Sequence, residues 1–443
     1  MATYDEETLD CISPMLPPGK REHVLVFQDE SIFHTNEYRQ REWLAGDQHA
    51  IWKKGNGRVV HVSDFISKTI GQIKLSEDQI AQQLTLPDND RLPVFEARKI
   101  TYPRKGFDTW WDLSQLINQL RHTIRVFNYT HPDQVAIFVW DRSSAHEGFA
   151  ENALNVHNMN VNPGKKQRKL RDTVIPLNNR DPAPGEEDTR GQVQKMCFPD
   201  DHPNPDLRGQ PKGMKIILQE RKSVWDKYTT LCNERGTKVV RKCGSCAKSQ
   251  SHRDAEHRVM FAEAAGPAVD PPAEGLIDGD SVAPPAPADK WCCMERVLSL
   301  QEDFRTEKPL IQLLIEDAGH VCLFLPRFHC ELNPIEMLWG YRKYRACTSL
   351  AHVVDALPLL SGYRNLADGR FATARTLVPQ CLDSCPLITI RKFFRKARRY
   401  LDAYRGSLNV QEAALANKKY KSHRKITLPG DVTPSVDASN IQN

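Results

Sequence analysis

The sequence lacks both a long apolar segment and a secretory signal. No apolar run approaches the roughly eighteen residues that a membrane span requires. Residues 1–17 are acidic and then proline-rich, without the apolar centre of a signal peptide. We therefore expect a soluble, intracellular protein without a membrane partner.

Disulfide bonds are not expected either. The chain has twelve cysteines, but an intracellular compartment keeps thiols reduced, so free thiols or metal ligands are the better interpretation. Hydrophobic residues make up 40% and charged residues 26% of the 443 residues, which is ordinary globular usage. This length accommodates more than one folding unit.

Acidic residues at the ends of apolar segments are the main feature that is present. Two short apolar runs end on Asp29 and Asp141, and Glu336 follows much later, near the start of a predicted helix. Two neighbouring buried strands that stop on aspartate place two carboxylates side by side. Such oxygen clusters bind hard divalent cations, and two ions roughly 3.5 to 4 Å apart are a standard device for cutting phosphodiesters. The pattern favours a nucleic-acid-cutting core.

The order of the predicted elements suggests an α/β fold with a mixed sheet flanked by helices. Periodicity and turn residues predict an amphipathic helix over 109–127 and another helix over about 294–317. A further helix follows Asn333. Predicted strands cover 23–28, 57–63, 97–102, 135–140 and 321–325. Three strands, a helix and a fourth strand ending on Asp is the opening order of a ribonuclease-H-like fold, here followed by a large insertion.

Three segments resemble, in order and context, the catalytic blocks of mariner-type DDE transposases. They read QDES at 28–31, WDRSSAH at 140–146 and LNPIEMLW at 332–339. The longer string LPRFHCELNPIEMLWG at 325–340 looks like a transposon-derived DDE superfamily endonuclease of the fungal type. The resemblance covers most of residues 21–426. It implies a ribonuclease-H-like fold, two Mg or Mn ions, and DNA strand cleavage or transfer, with Asp29, Asp141 and Glu336 as the catalytic, metal-binding carboxylates.

Two features depart from the resemblance. Asp141 and Glu336 are 195 residues apart, whereas mariner-type enzymes separate this pair by a few dozen. The blocks also begin at Asp29, which leaves no room before them for helix-turn-helix domains that recognise transposon ends, so we expect a truncated or domesticated copy.

Helix capping is an alternative for two of the three carboxylates. Asp141 precedes two serines and suits a helix cap, and residues 333–336 fit a capping box that ends on Glu336. We expect Glu30 and His146 to support the site or to face solvent rather than to bind metal directly.

A second cluster consists of Cys243, Cys246, Cys292 and Cys293. A Cys-x-x-Cys pair presents two thiolates on one side of a tight turn, and a second pair can complete a tetrahedral structural zinc site. The alternatives are reduced surface thiols with small core residues, or replacement of one pair by Cys232, His252 or His257. The residues that connect the two pairs include a Pro- and Ala-rich stretch at about 265–290 that predicts a disordered loop.

The C-terminal region is strongly basic. Residues 387–426 carry twelve Lys or Arg against two acids, so this segment is +10 in a chain whose net charge is +5. An apolar stripe at helical spacing is expected to pack on the core: Ile390, Phe393, Phe394, Ala397, Tyr400, Leu401 and Tyr404. The cations suggest DNA-backbone binding, an ordinary solvated face or a nuclear import signal. The predicted nucleic-acid-binding residues are Lys165, Lys166, Arg168, Lys169, Arg391, Lys392, Arg395, Lys396, Arg399, Lys418, Lys419 and Lys421.

These observations predict six segments along the chain. They are a disordered lead-in (1–20), two parts of a catalytic domain (21–177 and 294–350), an insertion (178–293), a basic helical region (351–426) and a disordered tail (427–443). The predicted function is a nuclear DDE-type, metal-dependent DNA endonuclease or strand transferase, with DNA as its partner and a homodimer as a possible assembly. The alternatives are a domesticated or decayed nucleic-acid-binding protein without catalysis, and a nuclease acting on RNA or hybrids.

Overall fold

The computed structural model describes residues 1–5, 8–37, 55–164, 166–179, 181–182, 184–185, 187–247, 289–344 and 363–419. The chain divides into two compact units. We call Met1–Gly148 with Pro309–Asn443 the sheet unit and Phe149–Lys308 the inserted unit. Most of the predicted loop at 265–290 and the whole predicted tail at 427–443 lie outside the described residues.

The sheet unit contains a mixed sheet, as the sequence predicts, and this sheet has six strands. The strands of the chain are β1 (Thr3–Tyr4), β2 (Cys11–Ile12), β3 (Glu22–His34), β4 (Val59–Ser67), β5 (Gly71–Gln72), β6 (Lys99–Thr101), β7 (Gln134–Trp140), β8 (Thr173–Val174), β9 (Val193–Gln194) and β10 (Val321–Phe324). The sheet order is β10-β7-β3-β4-β5, and β6 also pairs with β4. β3, β7 and β10 are parallel, whereas β4 is antiparallel to β3, β5 and β6.

Besides three short 3-10 helices at Val156–Asn158, Pro205–Leu207 and Cys330–Leu332, the structure contains α-helices. They are α1 (Glu77–Thr85), α2 (Leu113–Thr130), α3 (Met214–Glu220), α4 (Ser223–Glu234), α5 (Met294–Ser299), α6 (Glu302–Arg305), α7 (Leu310–Asp317), α8 (Pro334–Tyr344), α9 (Tyr363–Leu366), α10 (Phe371–Asp383), α11 (Leu387–Arg405) and α12 (Val410–Lys419). The helix predicted over 109–127 begins later because the Asp112 side chain accepts from the Gln115 N–H and caps it. The helix predicted over 294–317 is three short helices, and Pro309, which has no N–H, precedes the third.

Helices cover both faces of the sheet because β3 alternates its apolar side chains. Val24 and Val26 belong to a core shared with α2 and α7. Phe27 and Phe33 belong to a second core shared with α8, α10 and α11. The period of two along β3 therefore builds two separate hydrophobic layers. The predicted α/β class, a mixed sheet flanked by helices, is confirmed.

The inserted unit has a core of its own. Tyr228 and Met214 are fully buried at its centre, on α4 and α3. Leu154 and Val297 join the same cluster, although both lie outside the predicted insertion at 178–293. The inserted unit is therefore longer at both ends than predicted, because flanking apolar residues complete its core.

The start of the chain is not an unstructured lead-in. β1 and β2 pair as a small antiparallel ladder, and Leu9 between them is only 3% exposed. Arg391 Nη1 on α11 donates to the Leu9 carbonyl over 3.0 Å. A distant contact thus orders residues that composition alone marks as irregular.

The apolar stripe of α11 packs on the sheet mainly as predicted. Ile390, Phe394 and Ala397 are buried, and the Phe394 ring meets Phe27 edge-on at 5.3 Å. The prediction for Leu401 was wrong, because this residue is 39% exposed and Ala403 is buried instead. Among the residues described, no helix has the length and apolar character needed to cross a membrane.

Candidate functional site

The pairing of β3 with β7 brings two of the predicted catalytic residues to one level of the sheet. Phe27 is opposite Val139 in this parallel pair, so two further residues along each chain reach Asp29 and Asp141. Asp141 directly follows β7, as predicted. Asp29, in contrast, does not end its strand: β3 continues to His34, and Asp29 pairs with Asp64 of β4.

Helix α8 brings the third predicted residue to the same place. Asn333, which precedes the helix, accepts from the Ile335 N–H over 3.4 Å and donates to the Gln28 carbonyl over 3.3 Å. Trp339 Nε1, one turn further on, donates to Asp29 Oδ2 over 3.0 Å. Asn333 therefore caps the helix and also ties its start to β3, which shows that capping and a site role are compatible.

The carboxylates of this cluster influence one another directly. Glu336 and Asp141 both lie close enough to Asp29 for their negative charges to act on its carboxyl group. Burial raises the pKa of Asp29 well above its ordinary value, and the negative charge of Glu336 raises it further. Burial also raises the pKa of Glu336, although part of its surface is exposed, and the charge of Asp141 adds to the effect.

The three carboxylates are close but are not gathered around a single point. In the part of the chain that the structure describes, the only group of three or more His, Cys, Asp or Glu side chains with ligand atoms all within 4.8 Å of one another is the cysteine cluster. The donor type still suits a hard divalent cation, because the cluster consists of carboxylate oxygens. A cation would relieve the repulsion among these carboxylates.

Sequence reasoning missed the buried ion pair beside Asp29. Asp64 is 1% exposed and lies 3.5 Å from Nη1 of the fully buried Arg342 on α8. Gln72 Nε2 also donates to Asp64 over 3.2 Å. The signal was present in the sequence, because Phe65 and Ile66 continue the apolar run beyond Ser63, where the strand was predicted to end.

His146 does not face solvent. Its side chain is fully buried between two acids, with Nδ1 hydrogen-bonded to Asp141 Oδ1 and Nε2 at 3.5 Å from Glu30 Oε2. Burial alone would lower the pKa of His146, but the charges of Glu30 and Asp141 outweigh it and raise the pKa to about 10. Burial would raise the pKa of Glu30, but His146 outweighs it and lowers the pKa to about 2. The pair is therefore charged at neutral pH.

The four predicted cysteines do come together in the inserted unit. The sulfur of Cys246 is 3.6 Å from that of Cys292 and 4.0 Å from that of Cys293, which are themselves 3.8 Å apart. Backbone hydrogen bonds from Met294 to Val240 and from Glu295 to Arg241 hold the two segments together. The cluster could bind a metal such as zinc, since tetrahedral zinc thiolates place their sulfurs about 3.8 Å apart.

The alternative ligands are less suited to this cluster. Cys232 is 4% exposed and belongs to the apolar core of the inserted unit, and His252 and His257 lie outside the described residues. Burial would raise the pKa of Cys243, but hydrogen bonds from the Cys246 backbone and the neighbouring thiols outweigh it and lower this pKa. Burial raises the pKa of Cys246 to about 11. The pKa values of these two thiols are therefore shifted in opposite directions.

Helix α11 carries five of the twelve predicted nucleic-acid-binding residues, and they differ in their surroundings. Lys392 and Lys396 are exposed, as is Lys418 on α12. Arg391 has a structural role instead, because it donates to the carbonyls of Lys68, Thr69 and Leu9. Arg395 and Arg399 are half-buried.

The sequence did not point to Lys68, which follows β4 and belongs to the same basic cluster. Its Nζ lies 3.7 Å from the centre of the Tyr4 ring. Burial lowers the pKa of Lys68 to about 8, and the charges of Arg398, Arg391 and Arg395 lower it further. Positive charge from two distant segments therefore converges on this surface of the sheet unit.

The remaining predicted basic residues divide into two groups. Lys166, Arg168 and Lys169 are exposed in a loop of the inserted unit. The other three have side chains outside the described residues: Lys165, Lys419 and Lys421.

Comparison of the chain with protein-family models, with curated proteins and with solved structures gives no match. The resemblance to DDE transposases stays a prediction that rests on the three sequence blocks.

The acidic cluster leads to a prediction about stability. Asp29→Asn should stabilise the metal-free protein at neutral pH by on the order of 1 kcal/mol or more, because it removes a buried negative charge while Asn still accepts from Trp339. The pKa of Asp29 is higher in the folded state than the ordinary value of 3.8. The stability that protonated Asp29 contributes is therefore fully present below about pH 3.8 and is lost as the pH rises towards the folded-state pKa. The advantage of Asp29→Asn over the wild type should therefore grow with pH.

Urea unfolding at pH 5 and pH 8 in the presence of a chelator measures this difference. Asp133→Asn is the matched control, because Asp133 is exposed and precedes β7 at the end of the strand opposite Asp141. Equal stability of Asp29→Asn and the wild type at both pH values would contradict the electrostatic account of the cluster.

Proposed function

We propose that the sheet unit is a ribonuclease-H-like catalytic core of a DDE-type, divalent-metal-dependent DNA endonuclease or strand transferase derived from a transposase. The strand arrangement supports this, because β3 pairs antiparallel with the strand that follows it and parallel with β7, beyond which β10 lies. Helices on both faces agree with the same proposal.

One observation carries the proposal. The register of β3 and β7 places Asp29 and Asp141 at one level of the sheet, and the indole N–H of Trp339 ties α8, the helix that carries Glu336, to Asp29 across a gap of more than three hundred residues. Capping explains the position of Asn333, but it gives no reason for two further acids to lie where their charges raise the pKa of Asp29.

The residues would divide the work by position. Asp29 and Asp141 would hold both Mg or Mn ions and Glu336 would hold the second. Bound ions of this kind activate water or a 3′-hydroxyl and stabilise the leaving oxygen. Trp339 fixes one oxygen of Asp29 through its indole N–H, and the buried surroundings of Asp29 exclude water from that side.

Nicking of supercoiled plasmid DNA in Mg²⁺ or Mn²⁺ tests the proposal. Asp29→Asn, Asp141→Asn and Glu336→Gln should each lower the rate by at least about a hundredfold, because each removes a metal-binding charge. Asp133→Asn should cleave like the wild type, since it removes the same charge at the other end of β7.

Three outcomes would change the assignment. DNA binding without metal-dependent cleavage would favour the alternative of a domesticated, catalytically inactive nucleic-acid-binding protein. Cleavage of RNA or hybrids in preference to DNA would favour the third alternative. Cleavage that survives all three substitutions would exclude these carboxylates as the catalytic centre.

We propose DNA as the partner of the basic surface formed by Lys68, α11 and α12, and hence a nuclear location. Lys392 and Lys396 are exposed and lie one turn apart on α11. Six cations between residues 391 and 399, with no acid among them, repel one another unless a polyanion is near. Contacts of this kind hold the phosphate backbone without reading its sequence.

Charge reversal separates a DNA surface from an ordinary solvated face. Lys392→Glu with Lys396→Glu should weaken duplex binding and reduce the slope of log K against log salt by about 2, roughly one unit per lost phosphate contact. The matched control reverses Arg121 and Arg125, an exposed pair with the same spacing on α2, which covers the other face of the sheet. Equal salt slopes for both double variants would leave α11 as a solvated face or an import signal.

We propose that the cysteine cluster of the inserted unit is a structural zinc site. Four thiolates without an open position suit structural rather than catalytic zinc. The site would link the segment after α4 to the start of α5. The metal would thus hold together the two ends of the chain segment that runs from residue 247 to residue 289.

Purified protein should contain one zinc per chain. Cys243→Ser with Cys246→Ser should abolish zinc binding and destabilise the inserted unit by several kcal/mol, roughly, because binding energy at such sites is folding energy. Cys197→Ser, which changes a thiol of the same unit outside the cluster, should retain the metal. Metal analysis and native-state alkylation provide the measurements. Zinc-free native protein with four freely alkylated thiols would refute the site.

A further inference from the structure

His146 lies where it can control the geometry of Asp141. Its imidazole is fully buried and meets an acid at each nitrogen, and the ring packs against Trp140 at 4.9 Å. A ring held at both ends and on one face has little freedom to rotate. The orientation of the histidine is therefore fixed by its surroundings and not by Asp141 alone.

Glu30, at the far end of this bridge, is itself held in place. Its Oε1 accepts from Gln28 Nε2 over 2.9 Å and from Trp111 Nε1 over 3.1 Å, which leaves Oε2 towards the histidine. A continuous chain of contacts thus runs from α2 and its preceding loop through β3 to the residue after β7. Each member is fixed by the one before it.

The contacts of Asp141 are one-sided. Oδ1 accepts from His146 and also from the Ser143 backbone N–H over 3.2 Å. Among the residues described, no donor reaches the second oxygen, Oδ2, and the side chain is 46% exposed. One oxygen is therefore anchored in the protein, and the other is available to a ligand from outside.

We infer that His146, braced by Glu30, is a positioning residue that orients the Asp141 carboxylate for metal binding. The inference rests on the proposed function, because it concerns one of the proposed metal ligands. Outer contacts that orient metal ligands typically change metal affinity or activity by about 10- to 100-fold when they are removed. His146 touches neither substrate nor metal in this role and acts only through Asp141.

Mn²⁺ affinity of the full-length, zinc-loaded protein, measured by electron paramagnetic resonance without DNA, tests the role independently of cleavage. His146→Phe should weaken Mn²⁺ binding about 10- to 100-fold. His146→Asn keeps an N–H donor near the position of Nδ1 and should restore most of the affinity. His146→Gln places its donor near the position of Nε2, away from Asp141, and should not.

Two further variants separate positioning from loss of folding. His320→Phe is the matched control, because His320 is also buried and hydrogen-bonded in the sheet unit but contacts Ala136 and Asn128 instead of an acid. It should leave Mn²⁺ affinity unchanged. Glu30→Gln keeps the acceptor for Trp111 and Gln28 and should weaken Mn²⁺ binding by a smaller factor. If His146→Phe does not fold, His146→Asn, His146→Gln and Glu30→Gln still decide the question.

The possible results are distinguishable. Asp141-dependent Mn²⁺ binding that is equal in His146→Gln, His146→Asn and the wild type overturns the positioning role and leaves the proposed function intact. Asp141-dependent binding without DNA cleavage contradicts the proposed activity but leaves the role of His146 measurable. Mn²⁺ binding that does not depend on Asp141 overturns both.

Discussion

The parallel register between β3 and β7 is the constraint on which the candidate site depends. Side chains alternate along a strand, so a slip of one residue would move Asp29 from one face of the sheet to the other. The alternation of Val24 and Val26 with Phe27 prevents that slip, because each set fills a different core. Apolar packing on both faces therefore fixes the position of the polar cluster.

The sheet treats two adjacent buried acids in opposite ways. Asp64 lies opposite Asp29 on β4 and faces the guanidinium of Arg342, so its charge has a partner within the chain. Asp29 instead faces the carboxyl group of Glu336. The charge of a buried acid next to a cation is compensated within the chain. Two neighbouring acids instead repel each other, and a bound cation can relieve that repulsion. This difference supports the proposal that Asp29, and not Asp64, binds a cation.

The sequence predicted those features that depend on local pattern. Short apolar runs and turn residues located β3, β4, β7 and β10, and the Cys-x-x-Cys spacing located one half of the cysteine cluster. Asp64, Arg342 and Lys68 could not be found in this way, because each gains its importance from a partner far away in sequence. The same applies to His146, whose burial follows from the packing of Trp140 and Glu30 and not from the residues beside it.

The long separation between Asp141 and Glu336 does not by itself disturb the site, and the backbone shows why. The inserted unit leaves the sheet unit after Gly148 and returns at Pro309, and the Leu310 N–H donates to the Gly148 carbonyl over 2.8 Å. The two ends of the interruption are thus neighbours, joined by a backbone hydrogen bond within the sheet unit. Domains are tolerated at such positions because chain entry and exit are already adjacent, so the sheet keeps the geometry it would have with a short loop. The register that aligns Asp29 with Asp141 therefore does not depend on the number of residues between Asp141 and Glu336.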